Sequence, residues 1–155
     1  MEDFQKLFQS FSSLKVGVIG DVMLDTYMWG KVERISPEAP VPVVTLKEKE
    51  FRIGGAGNVA LNCRSLGATV SLLSVTGNDD DSVILKKLLE SNNIDTCNIV
   101  ASNNRITTNK IRIISRNQQM MRLDSEVNED LNEQDESLLW QKIKIFLETE
   151  KPQVV

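Results

Sequence analysis

The chain has 155 residues, a formal net charge of −4, and 41% hydrophobic and 26% charged residues. This length suits one domain with a sizeable core, and the negative charge argues against a general nucleic-acid or membrane-surface binder. No apolar run approaches the ~20 residues that cross a bilayer, and the start MEDFQKLFQSF lacks the features of a secretory signal, so we expect a cytoplasmic protein.

Two residue types narrow the chemistry. The chain contains no histidine, which excludes imidazole as its general base or zinc ligand. Cys63 and Cys97 form neither a CxxC pair nor a metal-binding spacing. We expect both to be buried free thiols.

The N-terminal third predicts a helix, a buried strand and an antiparallel layer. Phe4 to Phe11 has helical periodicity, and LKVGVIGD (14–21) is typical of a strand buried on both faces of a parallel sheet. From Asp25 to Phe51, β-branched and aromatic residues partly alternate with charges, and three prolines interrupt them. This segment predicts short strands of a half-exposed antiparallel layer.

Helices and strands then alternate to the end of the chain. The predicted elements are a helix at 58–68, a strand at 69–75, a turn at 76–82, a helix at 82–93, strands at 105–116 and 119–124, and a helix at 132–148. The last residues, KPQVV, resemble the start of another buried strand. The order predicts an α/β fold of right-handed βαβ units with an antiparallel insertion, cut in the middle of one domain.

Asp21 and Asp25 follow the first strand, at the edge of an α/β sheet where ligands bind. An aspartate there can accept hydrogen bonds from sugar hydroxyls, or it can cap a turn. A dinucleotide-binding interpretation of GVIGD is disfavoured, because the acids that follow would repel a pyrophosphate. The acids of GNDDD (77–81) lack the spacing of a calcium loop and are interpreted as helix caps.

The stretch FRIGGAGNVA (51–60) has the strongest signal for ligand binding. Gly54, Gly55 and Gly57 leave the main chain bare just before a helix, so a ligand can touch the backbone and unpaired N–H groups. Asn58 adds an acceptor and donors for hydroxyl groups. The alternative is that Asn58 is only an N-cap with flexible glycines before it.

The order of these motifs resembles the ribokinase-type (PfkB) sugar kinases from about residue 14 to the end. GDVMLDTYMWGKVERISPEAPVPVV, IGGAGNVALNCRSLGA and TTNKIRIISRNQQMMRLD are similar to bacterial D-glycero-β-D-manno-heptose-7-phosphate kinases of lipopolysaccharide and S-layer sugar synthesis. The resemblance implies a ribokinase-like α/β fold with a central, mostly parallel sheet, flanking helices and a small antiparallel β lid at about 25–52. The lid often forms a homodimer in such kinases.

The resemblance also implies a function and a site. ATP with Mg²⁺ would phosphorylate a phosphorylated sugar, here heptose 7-phosphate at its anomeric hydroxyl, held by Asp25 and by Gly54, Gly55 and Asn58. The family's catalytic aspartate lies in a G-A-G-D-type loop with the nucleotide pocket nearby, and the 155 residues contain no such stretch. We therefore expect residues 1–155 to be the N-terminal, sugar-binding half of a kinase domain, inactive alone, with neither a catalytic base nor a metal site. A non-catalytic sugar-phosphate binding or dimerisation module and a kinase of ribose or fructose 6-phosphate remain alternatives.

A substrate phosphate requires cations. Residues 96–123 contain five basic residues and no acidic one. In KIRI, Lys110 and Arg112 project from one strand face and Ile111 and Ile113 from the other. The two cations either bind the sugar or its phosphate, or form a solvated basic edge that discourages strand pairing. Arg34, Glu38, Gln118 and Gln119 are further candidates for contacts with the ligand.

Overall fold

The computed structural model describes residues 2–155, with seven strands and four α-helices in that range. The strands are β1 (Lys15–Ile19), β2 (Val22–Ile35), β3 (Pro42–Gly55), β4 (Thr69–Gly77), β5 (Ile99–Ser102), β6 (Asn109–Ser115) and β7 (Gln118–Ser125). The helices are α1 (Glu2–Ser10), α2 (Ala56–Ser65), α3 (Asp80–Ser91) and α4 (Glu133–Glu150), with a short 3₁₀ helix at Phe11–Ser13.

The strands form two sheets. The first has the order β1-β4-β5 and is entirely parallel, and the second has the order β3-β2-β6-β7 with one parallel and two antiparallel pairings. The α/β class with a mostly parallel sheet and flanking helices is confirmed.

Helices cover both faces of the parallel sheet. Because side chains alternate along a strand, neighbouring residues of β4 belong to different clusters: Leu72 packs with residues of α2 and α3, and Leu73 packs with Ile143 and Phe146 of α4. Ile143 and Phe146 are buried and Leu139 packs beside them. The apolar stripe predicted for this helix is confirmed.

The half-exposed antiparallel layer predicted from Asp25 to Phe51 is confirmed, but the prediction that its strands are short is wrong. β2 and β3 are 14 residues each and pair along nearly their whole length, from Val22↔Gly55 to Ile35↔Pro42. The prolines do not interrupt them, because Pro37 and Pro40 lie in the connection and Pro42 is the first residue of β3. β2 also pairs in parallel with β6, so the antiparallel pair continues into a four-stranded sheet.

The remaining predicted elements are present with shifted bounds. β6 and β7 form the predicted hairpin, with Arg116 and Asn117 at positive φ in its two-residue turn. Asp79 caps α3 and Asn132 caps α4 through side-chain hydrogen bonds. Sequence reasoning missed β5, which is only four residues long.

Three further observations complete the fold. Val154 forms a parallel bridge with Val16 of β1, as the strand-like KPQVV suggests. Cys63 is half-buried but Cys97 is exposed, so the expectation of two buried thiols is wrong for Cys97. None of the helices in residues 2–155 is long and apolar enough to span a membrane.

Candidate functional site

One face of the β3-β2-β6-β7 sheet carries the predicted charged residues. Directly paired residues share a face, and the register pairs Asp25 with Lys110 and Tyr27 with Arg112. The predicted projection of Lys110 and Arg112 to one side is therefore confirmed. The structure brings these two cations beside Asp25, from separate segments of the chain.

Asp25 and Arg112 form an ion pair on this face. Nη1 of Arg112 donates to Oδ1 of Asp25 at 2.5 Å and also to the main-chain oxygen of Lys110 at 3.2 Å. Only 18% of the Asp25 side chain and 20% of the Arg112 side chain are exposed. The hydrogen bond to Asp25 raises the pKa of Arg112 above its ordinary value, outweighing the opposite effect of burial.

Lys110 is also paired with acidic side chains. Its Nζ lies 3.4 Å from Oε2 of Glu126 and 3.8 Å from Oδ2 of Asp124. Lys110 is 22% exposed, and β6 is an inner strand of its sheet. The alternative of a solvated basic edge strand is therefore wrong.

Gly54 lies against the carboxylate of Asp25. A Cβ built on Gly54 would lie 2.8 Å from Oδ2 of Asp25 and 2.7 Å from Cγ of Met23, so the carboxylate rests against bare main chain. The two oxygens of Asp25 thus have different surroundings: Oδ1 accepts from Arg112 and Oδ2 lies beside Gly54.

The sequence predicts bare main chain before a helix, and the structure places Gly54 and Gly55 in a strand and not in a loop. Gly54 and Gly55 are the last residues of β3, paired with Met23 and Val22. Gly55 has φ +58° and ψ −136°, a conformation that residues with a Cβ avoid. This turn leads directly into α2, whose first N–H, on Ala56, donates to the main-chain oxygen of Asp21.

Asn58 is exposed, at the third position of α2. The predicted helix at 58–68 begins two residues earlier, at Ala56, and ends at Ser65. Gly55 occupies the N-cap position without a side-chain bond, so the N-cap interpretation of Asn58 is wrong. The Asn58 amide makes no hydrogen bond with any other residue of 2–155, Asp25 included.

Buried hydrogen bonds fix the start of β6 and thereby position Lys110 and Arg112. Asn109 accepts from the Thr26 hydroxyl at 2.8 Å and donates to Asp81 at 2.9 Å. Both oxygens of Asp79 accept from Thr107, one from its N–H and one from its hydroxyl, each at 2.7 Å. The acids predicted as helix caps therefore also tie α3 to the sheet that carries the site.

Asp21 lies in a different place from Asp25. It lines a cavity of about 370 Å³ beyond the carboxyl end of β1 and beside Ser74 of β4, together with Arg105 and Glu126. Asp25, Asn58 and Arg112 do not line this cavity. The other four candidates, Arg34, Glu38, Gln118 and Gln119, are exposed, and none forms a hydrogen bond or an ion pair with Asp25, Lys110 or Arg112.

Sequence reasoning missed Tyr27 and Arg52. The Arg52 guanidinium carbon lies 4.3 Å from the centroid of the Tyr27 ring, and that of Arg112 lies 5.2 Å from it. Tyr27 follows Asp25 by two positions, a spacing that places both on one strand face. Arg52 could only have been added with the β2–β3 register known, because it pairs opposite Asp25.

Comparison with solved structures supports the fold. The chain superposes on phosphofructokinase-2 from Escherichia coli in complex with fructose-6-phosphate with TM-score 0.65 and 18% identity, covering 85% of this chain and 42% of that one. It superposes on ribokinase from Cryptococcus neoformans var. grubii serotype A in complex with ADP with TM-score 0.54 and 18% identity, covering 76% and 38%. At these identities the likeness defines the fold as ribokinase-like.

Sequence comparison gives the family. The model of the pfkB family carbohydrate kinases matches residues 13–147, which include every predicted site residue. The chain is 44% identical over 135 residues to the bifunctional protein HldE of Geobacter sulfurreducens, covering 87% of this chain and 28% of that protein. The chain belongs to the pfkB family of carbohydrate kinases, and it spans about a quarter of the length of the curated relatives that it matches.

Proposed function

We propose that this chain supplies the sugar-binding part of a kinase that transfers a phosphoryl group from ATP to a phosphorylated sugar. The observation that carries the proposal is the Asp25 carboxylate, held by Arg112 on one oxygen and resting against Gly54 on the other. A carboxylate oxygen beside bare main chain suits a sugar hydroxyl, and neighbouring cations suit a phosphate group.

The residues have separate roles in this proposal. Asp25 accepts a hydrogen bond from a hydroxyl group, while Gly54 and Gly55 let the sugar approach the main chain. Asn58 binds a further hydroxyl, and Lys110 and Arg112 bind the substrate's own phosphate. In phosphoryl transfer the protein mainly positions the reactants and stabilises spreading negative charge.

ATP and Mg²⁺ are assigned to the whole kinase and not to this chain. Within residues 2–155 no group of three or more cysteine or acidic residues is arranged to hold a metal ion. ADP is bound in the ribokinase structure that shares this fold.

The proposed substrate is heptose 7-phosphate, phosphorylated at its anomeric hydroxyl to the 1,7-bisphosphate. Support comes from the resemblance of three segments, at 20–44, 53–68 and 107–124, to the heptose-7-phosphate kinases. The test uses the protein at its full natural length with ATP and Mg²⁺, and follows product formation by ³¹P NMR. Heptose 7-phosphate, fructose 6-phosphate and ribose are compared as substrates.

Three results decide between the proposals. Turnover of heptose 7-phosphate at a kcat/KM at least tenfold above that of the other sugars supports the assignment, and Asn58→Ala then lowers it. Preference for another sugar overturns the heptose assignment. Tight binding of sugar phosphate without turnover by any of these sugars favours a non-catalytic binding module.

The far end of the β2–β3 pair is the proposed homodimer surface. Ile35, Val41 and Leu46 are exposed there, and β3 is an edge strand. Burying apolar side chains against a second copy would remove this surface from water. Sedimentation equilibrium of wild type and Leu46→Lys tests it: we expect a dimer that the substitution weakens, and a monomeric wild type contradicts it. The cytoplasmic location stays a prediction.

A further inference from the structure

Tyr27 lies between two arginines from the strands on either side of it. Arg52 comes from β3 and Arg112 from β6, and both guanidinium carbons are within 6 Å of the Tyr27 ring centroid, at 4.3 and 5.2 Å. At these distances the ring attracts a cation placed over it. The aromatic ring therefore restricts where both guanidinium groups lie.

Arg112 has an unused hydrogen-bonding edge. Its Nη1 donates to Asp25 and to the Lys110 carbonyl, whereas Nε and Nη2 donate to no other residue of 2–155. These two nitrogens form the fork that binds two oxygens of a phosphate side by side. Arg52 uses the corresponding edge for Glu50, at 2.7 and 3.0 Å, and that pair is half-exposed.

The ion-paired charges on this face balance. The cations of its ion pairs are Arg52, Lys110, Arg112 and Arg122, and their carboxylate partners are Asp25, Glu50, Asp124 and Glu126. These four positive and four negative groups balance, and Glu48, paired opposite Trp29, adds a further negative charge, so the face has no net positive charge to attract an anion. A phosphate group must therefore be bound by directed hydrogen bonds, and the orientation of the donor edge decides the affinity.

We propose that Tyr27 is a positioning residue that holds Arg112, with Arg52 beside it, so that the free edge of Arg112 binds the phosphate monoester of a sugar phosphate. This inference rests on the proposed function for the sugar part of the ligand. Oδ2 of Asp25 then binds a hydroxyl group of the sugar, and the free edge of Arg112 binds its phosphate group. Because the phosphate has a binding position of its own, the site binds a phosphorylated sugar more tightly than the unphosphorylated one.

The test compares Tyr27→Leu, which removes the ring, with Tyr27→Phe, which retains it. Calorimetry on the full natural-length protein gives the Kd for inorganic phosphate, for heptose 7-phosphate and for the unphosphorylated heptose. We expect Tyr27→Leu to raise the Kd for both phosphate ligands about 3- to 30-fold and the Kd for unphosphorylated heptose less than about twofold. Tyr27→Phe should stay within about twofold of wild type for all three.

The Tyr27 comparison has a matched control variant and an independent spectroscopic measurement. Trp29→Leu removes the next aromatic ring on the same strand face, which stacks on Tyr27 at 6.4 Å but lies over no guanidinium group within residues 2–155. It should leave all three Kd values within about twofold. The Nε–H resonance of Arg112 should move when inorganic phosphate is added to wild type, and move less in Tyr27→Leu.

The outcomes separate this inference from the proposed function. The inference is overturned if the Nε–H resonance of Arg112 does not move when inorganic phosphate is added. It is also overturned if Tyr27→Leu raises the Kd equally for all three ligands. If inorganic phosphate binds through Arg112 but heptose 7-phosphate does not bind, the inference stands and the proposed substrate fails. Should Tyr27→Leu not fold, Tyr27→Met provides the same comparison.

Discussion

Arg112 and Asp25 meet across two strands that are parallel neighbours, and the guanidinium group donates to Oδ1 of the carboxylate. The two residues are 87 positions apart in the chain. This ion pair orients both side chains and uses only one edge of each. Oδ2 of Asp25, beside Gly54, and Nε and Nη2 of Arg112 remain available to a ligand.

Asp25→Asn tests that relationship. The amide keeps the shape but replaces one acceptor oxygen with a donor, so both the contact to Arg112 and the contact to a sugar hydroxyl are impaired. We expect the Kd for sugar phosphate to rise about 10- to 150-fold, the range for hydrogen bonds to charged groups. The free energy of unfolding should fall by about 1–3 kcal/mol, because the largely buried Arg112 guanidinium group loses its charged partner.

The matched control for Asp25→Asn is Glu150→Gln. Glu150 forms an exposed ion pair with Lys15 at 3.1 Å, away from the four-stranded sheet. Calorimetry should give the wild-type Kd for this variant. An Asp25→Asn protein that binds sugar phosphate as well as wild type would remove Asp25 from the site.

Gly54→Ala should impair binding more than folding. The added methyl group would lie 2.8 Å from Oδ2 of Asp25 and 2.7 Å from Cγ of Met23, both of which belong to side chains that can move. Overpacking of this kind costs about 1–3 kcal/mol, and moving Asp25 aside relieves it. We expect at least about tenfold weaker sugar-phosphate binding, measured by calorimetry, and wild-type affinity would contradict the assigned contact.

Gly55→Ala should show the opposite pattern, with folding affected first. At φ +58° and ψ −136° an alanine is strained by about 1–3 kcal/mol, and its methyl group would also collide with the main-chain oxygen of Asp21, which cannot rotate away. Urea unfolding monitored by circular dichroism measures the loss. A stability equal to that of Gly54→Ala would show that the turn from β3 into α2 relaxes easily.

Asp79→Asn tests the hydrogen bonds between Asp79 and Thr107 that fix the start of β6, and its effect depends on pH. Burial raises the pKa of Asp79, but hydrogen bonds from Thr107 and Ser82 lower it by more, so its pKa in the folded protein is below the ordinary value of 3.8. A carboxylate with a lowered native pKa stabilises the fold above its unfolded pKa, and this stability is lost as the pH falls through the native value. At pH 7 the substitution should cost about 1–3 kcal/mol, because the buried N–H of Thr107 loses its acceptor.

The comparison is made by urea unfolding at pH 7 and at several values below pH 3.8. The difference in free energy of unfolding between wild type and Asp79→Asn should become smaller as the pH falls below 3.8. Asp80→Asn is the control, since Asp80 is exposed and next in the chain, and its effect should be smaller at every pH. A pH-independent difference for Asp79→Asn would show that the ionised form is not what Thr107 requires.

The elements that could be predicted from the sequence are those with a strong periodicity or a cap. The buried strands β1 and β4, the capped helices α3 and α4, and the β6–β7 hairpin all have such local signals. The sequence predicts shorter strands than the 14 residues of β2 and β3, because the prolines in this segment indicate interruptions. Their actual positions, in the connection and at the first residue of β3, require no ladder hydrogen bond from proline.

The site was predictable only in part, for a physical reason. Alternation along one strand places Lys110 and Arg112 on one face, and that needs no tertiary information. The partners of these cations, Asp25, Asp124 and Glu126, come from other elements, so the sequence indicated cations for a ligand without showing that carboxylates pair with them. Whether Asn58 contacts a sugar stays a prediction.

The bridge between Val154 and Val16 has a consequence for the parallel sheet. From β1 the chain adds β4 and then β5 on one side, and Val154 then returns to the opposite side of β1. The direction of winding thus reverses at β1, which makes the gap next to it a topological switch point. In open α/β sheets the crevice at such a point receives ligands. Gly20 and Asp21 follow β1 at this point and line the cavity of about 370 Å³, and Glu126, which pairs with Lys110, lines it too.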